Sequence, residues 1–150
     1  MGRRQKREPT RKVRCDEQRV EGTKSHSMEG KVMSYLQNKS VLITGASGGF
    51  GALLATACLQ RGANVTAVDL DVEQLKQALP EGDHCLLMTA DVTDHVAMQS
   101  ATEQAVSVFG GLDILVNNAG IMPLAFFQDH KVAASAWNRC IDVNIKGVLN

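Results

Sequence analysis

The sequence predicts an α/β fold in which a parallel sheet is covered by helices on both faces, a doubly wound arrangement. Three observations carry that expectation. From Ser40 onward, short apolar runs alternate with stretches of helical apolar spacing. The first run, Val41-Leu42-Ile43-Thr44, passes through Gly45-Ala46-Ser47-Gly48-Gly49-Phe50-Gly51 straight into a helical stripe. An acidic residue, Asp69, closes the second run, Val65-Thr66-Ala67-Val68. Strands that alternate with helices return by crossovers, which makes neighbouring strands parallel and buries them on both sides.

Each element follows from local chemistry. The first strand ends at Thr44, and the helix behind it places Phe50, Leu53, Leu54, Ala57 and Cys58 on one stripe before Arg61-Gly62 stops it. The second strand ends at Asp69. A short helix over Val72 to Leu79 is terminated by Pro80 and Gly82. The third strand is Cys85 to Thr89, followed by Ala90-Asp91-Val92, and Thr93 is placed to cap the next helix. That helix carries Met98, Ala101, Ala105 and Val108 and runs to Gly110-Gly111. A fourth strand over Ile114 to Asn117 leads into Asn117-Asn118-Ala119-Gly120. From Ala133 to Asn150, Trp137, Ile141, Ile145 and Val148 share one helical face with Asn144 among them. An unpaired amide there would cost about 1–3 kcal/mol, so Asn144 needs a partner, either as a satisfied structural residue or as a group held for function.

The glycine stretch carries the chemistry. Gly45, Gly49 and Gly51 permit a tight turn and a close approach of backbone to ligand, and the open N–H groups of a helix start favour an anion such as a pyrophosphate. Alone, the stretch fits helix packing equally well. Asp69 stands at the spacing where a dinucleotide fold places its ribose-binding carboxylate, and the two features together favour a dinucleotide site.

Composition bounds the alternatives. The length of 150 residues allows one domain, and 44% apolar against 21% charged residues is ordinary for a globular chain. No apolar run is long enough to span a bilayer. Cys15, Cys58, Cys85 and Cys140 show neither CxxC pairing nor metal-ligand spacing, which points to reduced thiols, no metal and a cytoplasmic protein. Residues 1–32 carry ten Lys or Arg against five Asp or Glu, so a basic leader, expected to be disordered, precedes the folded part from residue 33. Met28 and Met33 stand just ahead of that part, so the leader could lie upstream of the biological start.

Thr44 to Gly51 resembles the TGxxxGxG turn of the short-chain dehydrogenases/reductases, Asn117 to Gly120 resembles their NNAG motif, and Val143-Asn144-Ile145-Lys146-Gly147 resembles the family's asparagine helix. The resemblance implies a single-domain Rossmann fold and an NAD(P)-dependent oxidoreductase that moves a hydride between the nicotinamide and an alcohol or ketone. It implies that Gly45, Ser47, Gly49, Phe50 and Gly51 line the pyrophosphate, with Phe50 where the family usually has Ile or Leu. Asp69 would take the adenosine ribose, Asp91 and Val92 would flank the adenine, and Asn118, Ala119 and Gly120 would lie along the cofactor. Asn144 would be a catalytic residue, holding a water that links the active-site lysine to solvent. A homo-oligomer paired through the helix near Trp137 is also implied.

The family's serine and YxxxK pair lie downstream of the asparagine helix. The one tyrosine, Tyr35, does stand four residues before Lys39, but ahead of the first strand. The expectation is therefore an N-terminal fragment, truncated after the fourth strand and the start of the next helix, inactive by itself and marginal at the open strand edge. NAD is favoured over NADP, because Asp69 would repel a 2′-phosphate and no Arg or Lys stands at Leu70 or within Ala46 to Phe50. Two other functions stay open behind the oxidoreductase: a non-catalytic dinucleotide-binding module and nucleic-acid binding through the basic leader. Ile121 to Lys131, with Pro123, Phe126, Phe127 and His130, fits a substrate entrance or a surface loop equally well.

Overall fold

In a computed structural model, residues 35–122 and 134–150 are described. Four strands, β1 (Ser40–Thr44), β2 (Asn64–Asp69), β3 (Cys85–Thr89) and β4 (Ile114–Val116), form one parallel sheet in the order β3-β2-β1-β4. Helix α1 (Gly49–Gln60) links β1 to β2, α2 (Val72–Ala78) links β2 to β3, and α3 (His95–Phe109) links β3 to β4. Helix α4 (Ala134–Ile141) continues through a π turn at Asp142–Lys146 into Gly147–Leu149. The expected doubly wound parallel sheet is present. The basic leader and most of the Ile121–Lys131 segment lie outside the described residues.

Alternation along each strand sends residues to opposite faces, and both faces are covered. Val41, Ile43, Val65 and Ala67 pack with Ala55 of α1 and Leu75 of α2 on one side. Leu42 and Val68 pack with Met98, Ala101 and Ala105 of α3 on the other. The strand order matters for function. The chain moves outward from β1 to β3, then crosses back to place β4 on the far side of β1, and this reversal opens a crevice at the carboxyl ends of β1 and β4.

Three local expectations are corrected. Asp94, not Thr93, caps α3: its carboxylate accepts the N–H groups of Val96 and Ala97, while Thr93 is held by Asp91. The buried residues of α1 are Gly51 and Ala55, where the helix crosses the sheet closely, with Cys58 and Leu59 packed partly against the same core, while Phe50 and Leu53 point outward. The fourth strand stops at Val116, one residue early, since Asn117 and Asn118 turn to hydrogen-bond other elements. Cys58, Cys85 and Cys140 are free thiols, and burial, with the Glu81 carboxylate nearby, pushes Cys85 up to about 11. No helix among the described residues is long and apolar enough to cross a membrane.

Candidate functional site

A cavity of about 400 Å³ lies at the carboxyl edge of the sheet. It is walled by the β1–α1 turn, the ends of β2 and β3, the segment after β4, and α4. The turn is shaped by close backbone packing. Gly45 has φ +67, and a side chain there would press to 2.9 Å from the Cα of Ala119. At Gly51 a Cβ would run into the Gly45 carbonyl and come within 2.7 Å of the Asn118 amide. The glycines thus let helix, turn and fourth strand meet without side chains between them. Gly48 caps α1 without any side-chain hydrogen bond, which leaves the first-turn N–H groups open toward a ligand.

Asp69 is fixed at the end of β2. Its Oδ2 accepts the Ser47 N–H at 2.9 Å and its Oδ1 accepts the Leu70 N–H at 2.7 Å. Each carboxylate oxygen keeps a further lone pair, which suits two vicinal hydroxyls of a ribose. Asp91 accepts from the N–H and hydroxyl of Thr93, which sets the turn that brings Val92 to the cavity.

The segment after β4 is tied to β1 by side chains at both ends. The buried Thr44 hydroxyl accepts the N–H groups of Asn118 and Ala119, each at 3.1 Å. The Asn118 amide donates to the carbonyls of Thr44 and Gly45, each at 3.0 Å. Asn118 therefore braces the glycine turn as well as lining the cavity. Asn144 does find partners: its Oδ1 accepts the Ile121 N–H and its Nδ2 donates to the Ile121 carbonyl, both at 2.8 Å. It sits inside the π turn, where the extra residue per turn swings its side chain onto the strand exit.

Of the residues expected to hold a cofactor, Gly45, Ser47, Phe50, Asp69, Asp91, Val92, Asn118, Ala119 and Gly120 line one cavity. Gly49 and Gly51 lie off its wall, Gly51 because it is buried in helix packing. Asn144 also lies off the wall and borders it through Ile121. Sequence reasoning did not assign Gly48, Val68, Leu70, Ala90, Ile121, Val143 and Arg139 to the cofactor wall. The first four are neighbours of motif residues and could have been included. Arg139 carries no sequence signal, since only the path of α4 across the crevice brings it to the wall. Pro123, Phe126, Phe127 and His130 lie outside the described residues.

Tyr35 and Lys39 are remote from this cavity. Lys39 pairs with Asp113 at 2.7 Å, at the amino edge of the sheet where β1 begins and β4 is about to begin. Five strand residues, roughly 17 Å, separate it from the cavity edge. The Lys39 hydrogen bond and the Ser40 N–H hold the Asp113 carboxyl below its ordinary value, and Asp113 raises Lys39. This is a structural clip. Among the described residues, no cluster of three His, Cys, Asp or Glu gathers for a metal.

Comparison with known proteins joins this geometry to a family. Residues 39–150 match the model of the short chain dehydrogenases. A short chain dehydrogenase/reductase of Macrophomina phaseolina is 42% identical over 121 residues, covering 75% of this chain and 66% of that protein. The oxidoreductase UcpA of Salmonella typhimurium is 40% identical over 121 residues, covering 79% and 45%. Among solved structures, a 3-ketoacyl-(acyl-carrier-protein) reductase of Brucella melitensis complexed with NADH aligns with a TM-score of 0.70 at 38% identity, over 76% of this chain and 47% of that one. The chain thus spans two thirds or less of the length of each of these relatives.

Proposed function

The chain belongs to the short-chain dehydrogenase family, and on that premise we propose that it supplies the dinucleotide-binding part, residues 33–150, of an NAD(P)-dependent oxidoreductase acting on an alcohol or ketone. The observation that carries this reading is the convergence of an open helix start, a fixed carboxylate at Asp69 and a small-residue floor at Ala119 and Gly120 on one cavity. The α1 N-terminus and the turn from Gly45 to Phe50 would hold the pyrophosphate. Asp69 would accept both adenosine ribose hydroxyls, and Asp91 and Val92 would border the base. A bound cofactor would supply the hydride acceptor or donor, and this chain's residues would bind and orient it.

Asn144 acts here as a positioning residue. Its hydrogen bonds to both backbone groups of Ile121 fix the exit of β4, where the nicotinamide half of a dinucleotide would lie if the pyrophosphate sits on α1. NAD is preferred over NADP, because a 2′-phosphate on the ribose at Asp69 would meet a carboxylate whose neighbour is Leu70 rather than Arg or Lys. A small-molecule alcohol or ketone substrate and a homo-oligomeric state, both implied by the family resemblance, belong to the same proposal.

The test is equilibrium titration of the purified chain with NADH and NADPH, followed by nucleotide fluorescence. NADH binding at least tenfold tighter than NADPH is expected, with the gap closing in Asp69→Ser. Equal affinity for both in the wild type would remove the proposed role of Asp69, and no binding of either would remove the function.

A further inference from the structure

We propose that Arg139 is the adenine-binding residue of this site, its guanidinium plane lying over the base from the α4 side. The inference rests on the dinucleotide reading of the cavity and adds a contact that the sequence motifs do not contain. Among the described residues, Arg139 is the one cationic side chain in the cavity wall, which otherwise carries the carboxylates of Asp69 and Asp91, the Asn118 amide and small or apolar groups.

Its position follows from how α4 is seated. Cys140 and Asn144 both turn to Ile121, so that side of the helix faces the end of β4. Val143 instead packs against the core cluster that includes Ala90 and Val92, just past the end of β3, and Gly147 sits so close to Val92 that a Cβ would come within 2.7 Å of its methyl. Residues four apart on a helix stack on one face and lean toward its N-terminus. Arg139, four before Val143, therefore stands one turn above Val143 and over the Asp91-Val92 edge of the cavity.

The chemistry there suits a flat base. Arg139 is solvent-accessible, presents a planar guanidinium, and makes no ion pair or hydrogen bond with another described residue. Val92 offers an apolar surface on the facing side, so a purine ring between them would be sandwiched between a methyl group and a guanidinium, an arrangement favoured by stacking and cation–π attraction. The phosphates are served elsewhere, by the open start of α1.

The experiment measures NADH binding to the full chain and its displacement by adenosine 5′-monophosphate and by nicotinamide mononucleotide, in wild type, Arg139→Ala and Arg139→Lys. Circular dichroism verifies that the variants fold, as expected for an exposed position. The proposal predicts that Arg139→Ala weakens NADH and adenosine 5′-monophosphate alike by about tenfold. Nicotinamide mononucleotide should be unaffected, and Arg139→Lys, which keeps the charge and loses the plane, should recover only part of the affinity. Unchanged adenosine 5′-monophosphate binding in Arg139→Ala overturns the proposal while leaving the dinucleotide site standing. Full recovery in Arg139→Lys also overturns it, since charge alone would then suffice. A wild-type chain that binds no NADH removes the site and the proposal together.

Discussion

The two walls of the cavity are built by different physics. On the sheet side, Leu42, Ile43, Val65, Ala67 and Val68 are completely buried, and the turn above them is fixed by backbone contacts at Gly45 and Gly51. On the α4 side, Gly147 is the only buried residue from Ala134 to Leu149, while Trp137, Ile141 and Ile145 are 39%, 47% and 58% exposed. That wall is attached at a few points, among them Asn144 and Cys140 on Ile121, Val143 and Gly147 against the Val92 side, and the Asn150 amide on the Val92 carbonyl. Burial makes the first wall part of the core. Polar clamps make the second an addition to it, able to shift without unfolding the sheet.

Substitutions at the turn should separate these walls most sharply. Gly51→Ala drives a methyl into the Gly45 carbonyl, so α1 must back away from the turn, and a loss of about 3 kcal/mol in urea unfolding is expected together with loss of NADH binding. Gly49→Ala, two residues away, meets no atom within 4 Å and bears only the strain of φ +53, about 1 kcal/mol. Equal costs at the two positions would mean that backbone packing does not build the sheet-side wall.

A smaller effect is expected on the other wall. Asn144→Ala removes both hydrogen bonds to Ile121, whose N–H and carbonyl remain within reach of solvent, and should cost about 1 kcal/mol. Its signature is local: faster amide exchange at Ile121 and along Asp142–Lys146, with β1 and β2 unchanged. Protection lost uniformly across the sheet would place α4 within the core instead.

The smallest effect concerns the amino edge of the sheet, away from both walls. Asp113 is held below its ordinary 3.8 chiefly by the Lys39 hydrogen bond, and Lys39 is raised above its ordinary 10.5 by Asp113. A carboxylate lowered on folding contributes stability above 3.8 and loses it as pH falls through the folded value. A raised lysine contributes below 10.5 and loses it as pH rises through its own folded value. The Tm of Asp113→Asn should therefore lie a few degrees below wild type across neutral pH, with the gap narrowing below 3.8 and above 10.5. A gap that persists in strong acid would mean that the charge on Asp113 is not its source.

Sequence pattern and structure agree most closely where the local code is strong. The four strands, the glycine turn and Asp69 were readable because strand period, glycine placement and a single acid at a strand end are properties of adjacent residues. Thr93 was mistaken for a cap because hydroxyl and carboxylate caps look alike in sequence, and only the Asp91 turn shows that Thr93 is already engaged. Phe50 and Leu53 face outward while Cys58 of the same predicted stripe packs against the core, since periodicity gives a face but not its direction. Arg139 was invisible for a stronger reason: a helix at the far end of the chain carries it to the cavity, and no local rule encodes that path.

The most direct test of the central claim, that the carboxyl edge of this sheet is a dinucleotide site, is nitrogen-15 amide mapping of the chain as NADH is added. The account predicts shifts centred on Gly45, Ser47, Gly48, Phe50, Asp69, Leu70, Asp91, Val92, Asn118 to Ile121 and Arg139, with Ser40 and Asp113 at the opposite edge unmoved. Shifts clustered at the amino edge, or none at the Gly45–Phe50 turn at saturating NADH, would contradict it.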